Sequence, residues 1–155
     1  MKYLWIAVIV ILVAAAAFLT VKKVSPVGWG WWGATNTSSG VALDGYDAVS
    51  YFEAKEPLQG QRNYRYGWHD AEWHFASAEN RDRFAANPDR YAPQFGGFCA
   101  FAVSKGFTAT PVPSAWHIED GRLYVFADEK VRDKWVATIN EGSLERSRSN
   151  WAKRD

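Results

Sequence analysis

The sequence predicts an α+β domain, short antiparallel hairpins packed with a few helices, carried behind one N-terminal transmembrane helix. Three observations predict it. Leu4 to Val21 is an apolar run broken only by Thr20. Strand-like runs rich in aromatic and β-branched residues pair across turn signals at 69–71 and at Asp120–Gly121, and helix-start signals stand at Ser77 and Asp128. Cys99 is the only cysteine, so no intramolecular disulfide can staple the fold and a packed core must hold it.

Composition narrows the function classes. The chain has 155 residues and a net charge of +1, from 18 basic and 17 acidic side chains. That balance lacks the clustered basic excess of a nucleic-acid footprint. One cysteine excludes a four-cysteine zinc site. Nine tryptophans promise a ring-rich core or a ring-rich surface.

The apolar run defines a first segment, 1–24. At 1.5 Å per residue it spans about 27 Å, enough to cross a hydrocarbon core. The small residues Ala14–Ala17 lie inside the run and not after it, which favours an uncleaved anchor over a cleaved signal peptide. Residues 4–21 are thus expected in the bilayer as a single pass. Lys2 on one side and Lys22 and Lys23 on the other nearly balance the positive-inside rule. The very short N-terminal tail points to a soluble domain on the outer, periplasmic face. Residues 25–40, SPVGWGWWGATNTSSG, carry no charge and read as a linker. Trp29, Trp31 and Trp32 would rest at the membrane interface, as Trp5 would on the other side, and Asn36–Gly40 would be flexible.

The globular domain, 41–155, opens with a turn at Asp44–Gly45 and a strand expected over Ala48–Phe52. Asp44 and Asp47 are oxygen donors, but no calcium-loop series follows, so turn capping is their expected role. Tyr64–Gly67 and Glu72–Phe75 form a hairpin that brings Trp68 beside Trp73 and puts Glu72 and His74 on one face. Ser77 caps a helix over Ala78–Ala86, ended at Asn87–Pro88, and Pro88–Pro93 follows as a loop. Gly96 and Gly97 make a turn just before Cys99. A short helix or strand then runs through Val103, and Phe107–Pro113 is an ordered loop. Trp116–Ile118 and Arg122–Phe126 form a second hairpin. A helix over Asp128–Ile139 with Val131, Trp135 and Ile139 on one face, and an amphipathic stretch Leu144–Trp151, complete the chain. The pass along the sequence finds no internal repeat and no heptads.

Chemistry-bearing residues are few. One thiolate, Cys99, and imidazoles from His117, His74 and His69 would suit copper or zinc with an open position, if the fold assembled them. His117 is also the candidate base for a Cys99 nucleophile, with Asp120 or Asp47 to orient it. A buried Cys99 filling the core between Phe95, Phe98 and Phe101 is the plainer alternative. No phosphate-loop, dinucleotide or nucleophile-elbow motif is present.

Three stretches, Leu43–Phe52, Glu72–Val103 and Ala115–Phe126, together resemble the YHS domain family, and more closely its extended bacterial branch of exported or membrane-tethered proteins. The resemblance covers Val41 to about Trp151. The family also occurs in copper-transporting ATPases and near oxygenases and is associated with metal binding. Its metal-associated form resembles F-C-S-x-x-C followed by F and P-x-x-Y. Phe75, Ser77, Phe84, Pro88 and Tyr91 match, whereas Ala76 and Asn80 stand in the two cysteine places. The branch instead resembles G-G-Y-C-A, present as Gly96-Gly97-Phe98-Cys99-Ala100, which implies that Cys99 belongs to its pattern. The resemblance therefore implies a membrane-anchored accessory protein that binds metal or performs thiol redox work through Cys99, with His117, His74 and His69 as further ligands. The anchor, the GWGWWG segment and the aromatic surplus support another expectation, a non-catalytic subunit of a larger membrane complex.

Overall fold

The computed structural model describes residues 2–154. It is α+β, with an N-terminal helix long and apolar enough to cross a membrane. That helix, α1 (Lys2–Val21), leaves its side chains exposed along its length, and the rest of the chain folds beyond its C-terminal end.

The segment expected as a linker is packed onto the domain. β1 (Ser25–Pro26) pairs antiparallel with β6 (Phe107–Thr108), Val27 enters the core, and Thr35 and Asn36 are buried. β2 (Thr37–Ser38) pairs with β3 (Val41–Ala42), which joins the sheet in the order β2-β3-β5-β4, with β4 at Gln61–Trp68 and β5 at Ala71–Phe75. Trp32 turns inward against the core, while Trp29 and Trp31 stay exposed. Composition misled here. A Gly/Ser-rich stretch has low propensity for regular structure, but its backbone groups can still be satisfied by a neighbouring chain.

Three further expectations change. Ala48–Phe52 is not a strand: α2 (Ser50–Glu53) starts there, because the Asp47 carboxylate accepts from Val49 N and Ser50 N and so bends the chain into a helical turn. The 88–93 loop contains a short helix, α4 (Pro88–Tyr91), started by a proline at its first position. The loop expected over Phe107–Pro113 is strand at both ends, β6 at Phe107–Thr108 and the start of the second hairpin at Val112, because these residues pair with Ser25–Pro26 and with Phe126. The remaining elements follow the sequence signals. β4 (Gln61–Trp68) and β5 (Ala71–Phe75) pair, with Trp68 and Trp73 rings 5.8 Å apart. Ser77 caps α3 (Ala78–Ala86) through Asn80 N. α5 (Ala100–Ser104) follows Cys99. β7 (Val112–Glu119) and β8 (Arg122–Phe126) form the second hairpin, and Asp128 caps α6 (Glu129–Ala137) through Val131 N. α7 (Ser143–Trp151) packs across α5.

The structure reveals a repeat that the sequence reading lacks. Each element of the second hairpin–helix unit starts 51 positions after its counterpart: Gln61 and Val112, Ala71 and Arg122, Ala78 and Glu129. Element lengths agree, and so do the irregularities in pairing, at Gln61/Arg65 and Val112/Trp116. The segments before the hairpins correspond as well. Leu43–Gly45 and Phe95–Gly97 are both single 3-10 turns whose three residues all have positive φ. In the hairpin–helix units the surviving sequence identity is Phe75-Ala76, Arg81-Asp82 and Ala86, against Phe126-Ala127, Arg132-Asp133 and Ala137. Each unit has its own core. One gathers Trp73, Phe75 and Phe84, the other Tyr124, Phe126 and Trp135. β8 divides the two: Leu123 and Val125 face the first core, Tyr124 and Phe126 the second, as strand alternation requires.

Candidate functional site

The glycine pair before Cys99 clamps the N-terminal strap. Gly96 has φ +58°, and a Cβ there would lie 1.9 Å from the Ala34 carbonyl oxygen. Only glycine lets the strap approach this closely, and Asn36 N then donates to Gly96 O at 2.7 Å. Gly97, φ +74°, turns the chain back toward Cys99. On the strap's other side stands the β4–β5 hairpin tip. Asp70 is exposed, and what little desolvation it meets works against its ionisation, but the Thr35 hydroxyl and the N–H groups of Asp70, Thr35 and Ala34 lie near enough to its carboxylate to hold it below the usual range. A carboxyl lowered in the folded state stabilises it above the unfolded value near 3.8 and loses that contribution as pH falls through the folded value. Asp70→Asn at neutral pH is therefore expected to lower the protection of Ala34 and Thr35 against hydrogen exchange roughly threefold to tenfold. Unchanged exchange in the variant would remove Asp70 from the clamp.

Beside the clamp lies a pocket of about 540 Å³. Four rings (Trp68, Trp73, Phe95 and Trp151) line it, with His69, Asp89, Arg148 and Arg154 among its polar groups. The strap, the first hairpin, the 92–96 connection and the C-terminal helix all contribute to its wall, so the pocket belongs to the junction of the two units. The sequence reading missed it. Its one advance signal was the tryptophan surplus, which says nothing about convergence.

The sequence-predicted donors do not come together. Cys99 is 1 % exposed, among Phe98, Phe126 and Trp135 of the second core. Burial pushes its thiol up; the N–H groups of Ala102, Ala127 and Phe101 lie near enough to offset part of that, though none closes a capping hydrogen bond on α5. Cys99 bridges β8 at Val125 on one side, and β7 lies along β8 on the other. His117 is thus about 10 Å away, two strand spacings. His117 Nε2 meets Glu119 Oε2 at 2.9 Å, and His74 Nε2 meets Glu72 Oε1 at 2.7 Å, each pair on one strand face. His69 sits exposed at the hairpin tip with φ +52°, its ring 4.0 Å from that of Trp68. Among the described residues no group of three or more His, Cys, Asp or Glu is placed to hold a metal ion. This donor set does not fit copper or zinc as one centre.

The repeat explains what Cys99 occupies. Its counterpart is Asp47: Asp47 N donates to Leu58 O and Cys99 N to Ala109 O, both at 2.9 Å. Asp47 takes the N–H groups two and three residues on, Val49 and Ser50, plus Ala76 across the unit. The N–H groups around the sulfur are the corresponding Phe101, Ala102 and Ala127. Asp47 is fully buried and also accepts from Asn80 Nδ2 at 2.7 Å. Ala76 and Asn80 therefore serve a buried carboxylate. Asp44 and Gly45 form the turn leading into it, both at positive φ, and Gly45 O accepts from Gly60 N. In the second unit the corresponding places are Ala127 and Val131, again without sulfur. Compared with known family models, curated proteins and solved structures, the chain matches none.

Proposed function

We propose that the chain is a membrane-tethered accessory domain of the YHS type that works by binding, through the ring-lined pocket, and not by thiol or metal chemistry at Cys99. The observation that carries the reading is the contrast between the two places: an open pocket edged by Arg148 and His69, and a thiol sealed among rings with its protonated form favoured. The stretches that resemble the family pack against one another: Ala76 N donates to Asp47 Oδ2, and Gln94 N donates to Leu123 O. Two guanidinium groups, Arg148 and Arg154, against one carboxylate, Asp89, among four rings favour an apolar group bearing negative charge as what binds.

The test is mild-detergent extraction of the full chain, beside Arg148→Glu and Cys99→Ala. Partners are expected with the parent and with Cys99→Ala, and are expected to be lost with Arg148→Glu. The folded thiol is expected to resist alkylation until the chain is denatured, and copper and zinc content to be the same with and without Cys99. A lone monomer from the parent chain, or rapid alkylation of the native thiol, would overturn the reading.

A further inference from the structure

We infer that the soluble domain is seated directly on the bilayer, with Trp29, Trp31, Phe107 and Val112 as its lipid-facing footprint. The inference rests on the reading of α1 as a membrane anchor. Outside α1, these four are the large apolar side chains that stand exposed among the described residues. Trp29 and Trp31 are 58 % and 64 % exposed and their rings are 4.5 Å apart, although the domain has two cores that could have taken them.

All four lie around the point where α1 ends, and there is no slack between helix and domain. Thr110 N donates to Lys22 O at 2.9 Å and Thr108 Oγ1 to Lys23 O at 2.7 Å, so backbone carbonyls just after the helix are tied to the β6 strand and the turn after it. Two residues later β1 pairs with β6, placing Pro26 opposite Phe107, and Val27 N donates to Gly106 O at 2.9 Å. A helix ending at the interface and bonded this way to β6 holds Phe107 and the Trp29–Trp31 pair at headgroup depth. Aromatic side chains are favoured there because the ring is apolar and the indole N–H still meets water. Of the basic groups there, the Lys23 ammonium turns onto the Thr37 carbonyl and the Lys105 ammonium lies 5.3 Å from the Phe101 ring, which leaves Lys22 exposed at the end of α1. One such cation is little beside four apolar side chains, so seating is by apolar insertion, about 5–10 Å deep, and does not need anionic lipid.

The test uses the full chain in phosphatidylcholine vesicles, spin-labelled singly at Trp31→Cys, Phe107→Cys, Val10→Cys or Glu79→Cys. Collisions with oxygen and with a water-soluble nickel chelate report depth. The expected result is lipid-like accessibility at 10, interfacial accessibility at 31 and 107 that high salt leaves unchanged, and aqueous accessibility at 79. Labels at 31 and 107 as open to nickel as the label at 79, with 10 still in lipid, overturn the seating alone. An aqueous label at 10 overturns the anchor and the seating with it.

Discussion

Replacing Gly96 by alanine is expected to release the N-terminal strap and to destabilise the full chain by about 3–4 kcal/mol. Left-handed backbone costs a non-glycine residue about 1–2 kcal/mol, and the lost Asn36–Gly96 hydrogen bond about 1 kcal/mol more. The remainder is steric: the new Cβ would lie 1.9 Å from a backbone oxygen, which no rotamer change can relieve. Gly106→Ala is the control, since its φ is +86° yet nothing lies within 4 Å of the added carbon. Denaturant unfolding in detergent, with limited proteolysis across 30–36, reads both effects. The Gly96 variant should be nicked in the strap and the Gly106 variant should not. Equal stability of the two variants would show that close approach is not the role of Gly96.

Asp47→Ala is expected to cost at least about 4 kcal/mol. It leaves the buried N–H of Val49, the half-buried N–H of Ala76 and the amide of Asn80 without their acceptor, while Ser50 N keeps the Asp47 backbone carbonyl, at about 1–3 kcal/mol for each donor that finds no substitute. Asp47→Asn keeps one acceptor oxygen but turns an NH₂ toward other donors, and should fall between the alanine variant and the parent. Cys99→Ala, at the equivalent place in the second unit, removes a weak acceptor and one sulfur's volume and is expected to cost about 1–2 kcal/mol. Equilibrium denaturation of the three variants checks the ordering. A Cys99→Ala cost as large as that of Asp47→Ala would mean that the sulfur carries more of the second unit than packing alone.

Much of the fold was legible because its signals are local. Ser77 and Asp128 cap their helices through the residue three positions on, as side-chain chemistry at a helix start dictates. The hairpins follow from alternation and from turn residues, and the paired Trp68 and Trp73 meet across theirs. The run over Ala48–Phe52 was misread because its apolar residues suit a strand, and only the Asp47 carboxylate makes it a helical start. The repeat escaped because its identity is thin. Core positions exchanged size, Phe84 for Trp135 and Trp73 for Tyr124, while hairpin lengths and kinks were kept. Aligning Phe75–Phe84 on Phe126–Trp135 would have exposed it.

By itself the sequence determined an apolar N-terminal helix, capped helices, two hairpins and a lone thiol beside a glycine turn. Each of these depends on residues within a few positions of one another. Tertiary structure alone decided that the thiol is sealed, that Asp47 stands at the equivalent place in the first unit, that the strap is clamped between Gly96 and Asp70, and that four rings and Arg148 meet in one pocket. Those facts depend on contacts between residues tens of positions apart. Burial and electrostatic environment belong to such contacts, and they decide whether a cysteine is a reagent or part of a core.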